Sequence, residues 1–214
     1  MERVTFYIDG FNFYYGLKNS KKINPIWARF YWINFVRLFE QFLGPNQVLE
    51  KVIYFTAAPL DPGKSSRQSA LLNANRLLNP DKFEVIRGKY INKNITCPFC
   101  QHAISRPEEK KTDVNISVRM VGDCVLNLTD HLILVSADSD LIPPVEFIQR
   151  HYASKKVKIY FPPSRFSSDL RDNVLHHRGK PILLEKNIVK FENSRMPDLI
   201  SVGGKSISKP QEWV

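Results

Sequence analysis

The chain is poor in cysteine and glycine and has no long apolar run. Three cysteines in 214 residues are too few, and odd in number, to build a disulfide framework. No apolar stretch reaches the roughly 20 residues that a membrane helix needs. The start, "MERVTFYIDG", carries one Arg and no long apolar segment, so it does not read as a secretory signal. These shortages together predict a soluble protein without membrane association, in a reducing, cytoplasmic setting. The G-x-G-x-x-G turn of dinucleotide-binding folds is missing. His176 and His177 are adjacent, so on a helix they point apart and do not make a metal pair. No internal repeat is evident.

What the chain does have is an apolar content of 43%, enough for one sizeable core. It also has a net charge of +10. Residues 1–149 hold 18 basic and 15 acidic side chains, whereas residues 150–214 hold 13 and 6. A basic C-terminal third suits a polyanionic partner, with nucleic acid first, and equally a solvated surface.

Strand and helix patterns alternate. "RVTFYI", "VIYF", "FEVIRGKYI", "LILV" and "KKVKIYF" read as strands. Between them come helical stretches: "WINFVRLFEQFLG", "SSRQSALLNANRLL" with Ser65 or Ser66 as N-cap, and "DVNISVRMVGDCVLNL" with Val114, Val118, Val121 and Val125 on one face. "SDLIPPVEFIQR" is helical only with Pro143 and Pro144 in its first turn. Ser167 or Ser168 caps a last short helix, and "KPILLEKNIV" holds a possible edge strand. The pattern predicts an α/β fold with a parallel sheet of about five strands and helices on both faces. It predicts one domain over residues 1–191, a polar, Cys-containing insertion at about 92–110, and a loose tail over 192–214.

In such sheets ligands bind beyond the carboxyl ends of the strands. Asp9 ends the first strand, Asp138 and Asp140 follow the fourth, and Asp113 opens the helix before it. Asp9, Asp113 and, with Ser139, Asp138 can each be a helix cap. As a group, clustered carboxylates repel unless a cation neutralises them, and an all-oxygen set fits Mg²⁺ or Mn²⁺. Asn12, one turn after Asp9, can orient a water or a phosphate at the same mouth. Phe11, Phe13, Tyr14 and Tyr15 are core by default, and any exposed ring can stack on an unpaired base. A phosphatase with Asp9 as nucleophile would want an acid two residues on, where this chain has Phe11.

The segments "YIDGFNFYYGL", "VIYFTAAPLDPGKSSRQSALL", "EEKKTDVNISVRMVGD" and "LILVSADSDLIPPVEFI" together resemble the NYN domain in its LabA-like bacterial branch, part of the PIN-like nuclease superfamily. The resemblance runs from about Val4 to Leu170. It implies a Rossmann-like, PIN-like sheet and an acidic Mg²⁺-type centre that cleaves RNA. It implies Asp9, Asp113 and Asp138 as metal-binding carboxylates, Asp140 beside them, Asn12 as a polar neighbour and Ser136 as a supporting hydroxyl. Two positions depart from the pattern. Arg119 stands where the family often has a second Asp, and Ala137 replaces a Gly. The functions in play are a metal-dependent endoribonuclease and a non-catalytic RNA-binding or regulatory module with a degraded metal site.

"CPFCQH" offers Cys97, Cys100 and His102, half of a structural Zn²⁺ site, which wants four ligands. A homodimer could supply the rest; a turn without metal needs none. Arg67, Arg165, Arg171, Arg178 and Lys180 are the candidate phosphate contacts, because an Arg fork matches phosphate geometry. Single-stranded RNA is the expected partner.

Overall fold

The computed structural model describes residues 1–96, 98–174 and 181–213. Strand β1 (Glu2–Asp9) leads into α1 (Gly10–Ile23), a 3₁₀ segment (Pro25–Tyr31) and α2 (Phe35–Glu40). Then come β2 (Gln47–Thr56), α3 (Pro62–Leu78), β3 (Phe83–Arg87), β4 (Lys89–Thr96), β5 (Ala103–Lys110) and α4 (Thr112–Val125). The second half holds β6 (His131–Val135), α5 (Ile142–His151), β7 (Lys156–Phe161), α6 (Ser168–Val174), β8 (Ile182–Leu183) and α7 (Ile188–Asn193). A hairpin of β9 (Leu199–Val202) and β10 (Lys205–Ser208) follows.

The described residues build a six-stranded sheet in the order β3-β2-β1-β6-β7-β8. Every pairing in it is parallel. The α/β expectation holds, and the sixth strand is the short edge piece at Ile182–Leu183. The chain winds outward from β1 to β2 and β3, then returns to β6 on the other side of β1 and winds outward again. The order therefore reverses between β1 and β6, and a crevice opens there at the carboxyl ends.

Residues alternate across the sheet with period two. Val4, Phe6 and Ile8 of β1 face a core with Phe13 of α1, Phe35 and Phe39 of α2, Leu72 of α3 and Phe191 of α7. Tyr7 faces the opposite core with Ile116 and Met120 of α4, Val145 and Ile148 of α5, and Leu170 of α6. The first core is aromatic: Phe35 lies 5.4 Å from Phe13, 4.9 Å from Tyr54 and 5.9 Å from Phe83, centroid to centroid. Helices thus cover both faces.

Several local expectations shift. The helix placed over 32–44 is only Phe35–Glu40, capped by Asn34, whose Oδ1 accepts from the Arg37 amide at 3.0 Å. Helix α3 starts three or four residues before the expected serines, with Asp61 accepting from the Lys64 amide at 2.7 Å and Pro62 in the first turn. The third strand is cut at Gly88, and its second part pairs antiparallel with β5 as a hairpin through the Cys-containing segment. Ser167 is the cap of α6, its hydroxyl accepting from the Leu170 amide at 3.1 Å.

The valine face of α4 is reversed. Val114 and Val118 are 63% and 66% exposed, while Ile116, Met120, Asp123 and Cys124 are buried. On a helix, Asp113, Ile116, Met120, Asp123 and Cys124 fall at i, i+3, i+7, i+10 and i+11, one stripe. Turning Asp113 toward the sheet edge brings that stripe inward and leaves Val114, Val118 and Val125 outside, with Val121 half-buried against the core. The C-terminal segment, expected loose, carries the β9–β10 hairpin, and its Trp213 stacks on Tyr31 at 5.8 Å. Among the described residues no helix is long and apolar enough to cross a membrane.

Candidate metal centre

Strand β1 ends on Asp9, and the register pairs Ile8 with Val135 at the end of β6. Asp9 and Ser136 therefore emerge side by side at the point where strand order reverses. Helix α1 begins at once, because the side chain of Asp9 accepts from the amides of Phe11 at 3.1 Å and Asn12 at 3.0 Å. The tight exit needs Gly10. A Cβ there would lie 2.4 Å from Tyr54 Cε1 and 2.6 Å from the Phe55 carbonyl oxygen, closer than packed atoms tolerate.

One oxygen each from Asp9, Asp113 and Asp138 lies within 4.8 Å of the others. Asp9 is buried and the other two are half-buried. Asp113 arrives on the first turn of α4. Its turn is set by Lys111, whose φ of 78° is left-handed. Asp138 arrives from the loop after β6 and caps the following 3₁₀ turn, its Oδ1 accepting from the Asp140 amide at 3.0 Å. Capping and convergence thus coexist in Asp9 and Asp138, since a helix start tolerates negative charge.

Asp9 Oδ2 accepts from the Ser136 hydroxyl at 2.8 Å and from the Asn12 side-chain amide. Ser136 in turn accepts from the Asp138 amide at 3.1 Å. Burial pushes the Asp9 carboxyl above the ordinary carboxylate range; the Asn12 and Ser136 hydrogen bonds oppose this, and the nearby Asp138 charge adds to it. A buried carboxylate beside two others is costly on its own and favourable beside a cation. The donor set is oxygen only, and oxygens around a Mg²⁺ held at about 2.1 Å sit roughly 3–4 Å apart. The three carboxylates approach that spacing, within 4.8 Å of one another. All four acceptor directions of Asp9 are in use, so a cation taken at Oδ2 displaces Ser136 or Asn12. The residues fit a small hard divalent cation.

Asp140 is exposed and stands outside the group of three. Asn12 is spent on holding Asp9 and acts as a positioning group. Arg119 lies six residues beyond Asp113, about 9 Å further along the helix. It forks onto Glu84 at 2.7 and 3.1 Å and meets Asp123 at 2.7 Å. Asp123 also accepts from the Tyr7 hydroxyl at 2.8 Å. Arg119 therefore neutralises a second, buried carboxylate and leaves the group of three intact. The sequence reading missed Asp123 and Tyr7; the signal was an acid on the same helical stripe as Ile116 and Met120.

The basic residues divide. Arg67, on the first turns of α3, bridges to Glu212 at 2.8 Å. Arg165 follows β7 at the carboxyl edge, half-buried, with its Nε lacking a partner. Arg171 lies outside, forked onto Asp172 at 2.6 and 2.8 Å and over the Phe166 ring at 5.5 Å. Arg178, Lys180 and Cys97 lie outside the described residues. Cys100 and His102 are exposed.

Beside Asp9 the surface opens into a cavity of about 520 Å³, walled by Phe11, Tyr14, Tyr15, Tyr54, Tyr90 and Trp213. Tyr90 comes from the hairpin and Trp213 from the C-terminal turn, two walls that the sequence reading did not place at the site. The single aromatic residue of the C-terminal segment was the available signal.

A parallel sheet with an acidic group at its switch point is an α/β arrangement of the PIN-like kind. The NYN domain model matches residues 3–177, and the chain belongs to this family, a domain of the PIN-like nuclease superfamily. A Pseudomonas putida protein named 6-hydroxy-3-succinoylpyridine 3-monooxygenase is 26% identical, over 99% of this chain and 75% of that protein. A solved structure, a Vibrio parahaemolyticus protein of unknown function, superposes with a TM-score of 0.51 at 25% identity, covering 80% of this chain and 88% of that one.

Proposed function

We propose that the protein is a metal-dependent endoribonuclease acting on single-stranded RNA. The observation that carries the reading is the convergence of Asp9, Asp113 and Asp138 within 4.8 Å at the switch point of a NYN domain. A bound Mg²⁺ or Mn²⁺ supplies Lewis acidity at a phosphoryl oxygen and lowers the pKa of a coordinated water. The three carboxylates hold the ion. Asn12 and Ser136 orient the Asp9 carboxylate before the ion arrives, and one of the two yields its place on Oδ2 when the ion is held. Asp140, exposed on the turn after Asp138, stands beside the centre without holding the ion. Arg67 and Arg165 bind the strand, and Arg178 and Lys180, outside the described residues, are further phosphate contacts by their charge. The setting is cytoplasmic.

A second reading comes from the relative named as a monooxygenase and from the aromatic cavity, which has room for a small heteroaromatic substrate. The donor set favours the first reading. Non-haem iron oxygenases use two histidines and one carboxylate, whereas the group here is three carboxylates.

The test is incubation of labelled single-stranded RNA with purified protein in Mg²⁺, in Mn²⁺ and in EDTA, beside Asp138→Asn. Cleavage that needs the metal and disappears in the variant is expected. Salt-sensitive binding without cleavage, unchanged in the variant, would show a binding module with no nuclease activity.

A further inference from the structure

We propose that the aromatic cavity beside Asp9 is a base-binding subsite that takes one unpaired nucleobase next to the scissile phosphate. The inference rests on the endoribonuclease reading and adds to it a reason for single-strand preference. Phe11, which begins the cavity wall, is two residues from Asp9, within about 7 Å of backbone. The cavity wall thus begins about one nucleotide from Asp9, the first of the three carboxylates. Its volume of about 520 Å³ lies within the roughly 300–1,000 Å³ of pockets that enclose small organic ligands.

The wall chemistry suits a flat, polar-edged ring. Tyr14 and Tyr15 are 38% and 42% exposed, although large aromatics at this depth are normally covered. They meet edge to face at 5.4 Å, and Phe11 meets Tyr90 the same way at 5.8 Å. An edge-to-face pair uses one face of one ring; with Lys18 Nζ at 5.8 Å over the Tyr15 ring and Tyr31 at 5.9 Å from Tyr14, the solvent-exposed part of Tyr14 and Tyr15 is the stacking surface. Gln68, also in the wall, donates to Thr56 at 2.9 Å and to the Ala57 carbonyl at 3.2 Å, while its Oε1 has no partner. A base edge presents the N–H groups that this oxygen lacks; the oxygen is shielded, so the amide reaches the base by giving up its bonds to Thr56 and Ala57. Lys64 and Arg67 stand on the same wall, where a neighbouring phosphate would lie. The Arg67 bridge to Glu212 is exposed on the Glu212 side, so a phosphate can replace it at little cost. A duplex keeps its bases stacked inside and cannot insert one without unpairing it.

The test uses short single-stranded RNA in which one abasic nucleotide is moved along the strand. Cleavage is measured with wild type, and binding with Asp138→Asn, followed by quenching of tryptophan fluorescence, with Trp213→Phe as the control that identifies the cavity's share of the signal. We expect one position at which the abasic site weakens binding about tenfold, the scale of one stacked base. We expect that position-dependence to vanish in Tyr14→Leu/Tyr15→Leu and to return in Tyr14→Phe/Tyr15→Phe. Cleavage with no position-dependence, or with the leucine pair equal to wild type, overturns the subsite and leaves the nuclease reading standing. Position-dependent binding without any cleavage supports the subsite and removes the nuclease reading. Free adenosine binding as tightly as the RNA, with a flat abasic scan, overturns the proposal in favour of a free heteroaromatic ligand.

Discussion

Asp9→Asn is expected to abolish cleavage and, in the same protein without metal, to raise stability. The loss follows from removing a charge that holds the ion, at least about 10²-fold, the scale for one pre-organised electrostatic contact. The gain follows from the burial of Asp9. Its carboxyl is pushed above the ordinary range chiefly by that burial. A group raised in this way favours folding below its unfolded value, and that contribution is lost as pH rises through the folded value. At neutral pH the charged form is therefore a cost in the metal-free protein. An amide in its place keeps the cap to Phe11 and Asn12 through its oxygen. Its NH₂ then faces Ser136, which can accept, and Asn12, whose amide can turn over. A gain of about 0.5–2 kcal/mol is expected, or a few degrees in Tm, read by thermal melting in EDTA. The difference from wild type should shrink as pH falls toward the acid range, where wild-type Asp9 is itself neutral. A variant that loses both activity and stability would make Asp9 a structural cap first.

Phe35→Ala has the largest expected effect on stability, about 3–5 kcal/mol, or roughly 6–20 °C in Tm for a chain of this size. Phe35 is 1% exposed and touches rings from three other elements. One of them, Tyr54, donates to the Gly10 carbonyl at 3.2 Å and sits against the Gly10 backbone. The cavity left by Phe35 thus opens directly beneath the turn that aims Asp9. Metal affinity should weaken along with the fall in Tm, measured below the transition. An unchanged Tm would mean that the aromatic core closes over the gap.

Much of the site could be read from the chain because its parts lie at element ends. "YIDG" is an apolar strand followed by an acid and a glycine, and the glycine is there because Tyr54 and Phe55 leave no room for a Cβ. "LILVSAD" repeats the pattern on the neighbouring strand, and parallel pairing of Ile8 with Val135 does the rest. What could not be read was set by rotation and by long-range contact. Two apolar stripes competed on α4, and the valine stripe is as regular as the Ile116–Met120 stripe. Only the need to point Asp113 at Asp9 and to bury Asp123 against Tyr7 and Arg119 chooses between them. Arg119 looked like a threat to the metal site in the sequence, because its partners Glu84 and Asp123 are 35 and 4 residues away. The cavity was invisible for the same reason: Tyr15, Tyr90 and Trp213 meet only in three dimensions.

The central claim, that Asp9, Asp113 and Asp138 hold one divalent cation, is tested most directly by titrating Mn²⁺ into the metal-free protein and following the free ion by electron paramagnetic resonance. One bound ion per chain is predicted for wild type, with binding weakened at least about tenfold in each of Asp9→Asn, Asp113→Asn and Asp138→Asn, and unchanged in Asp140→Asn. Wild-type binding that survives in all three variants, or no binding at all, would contradict it.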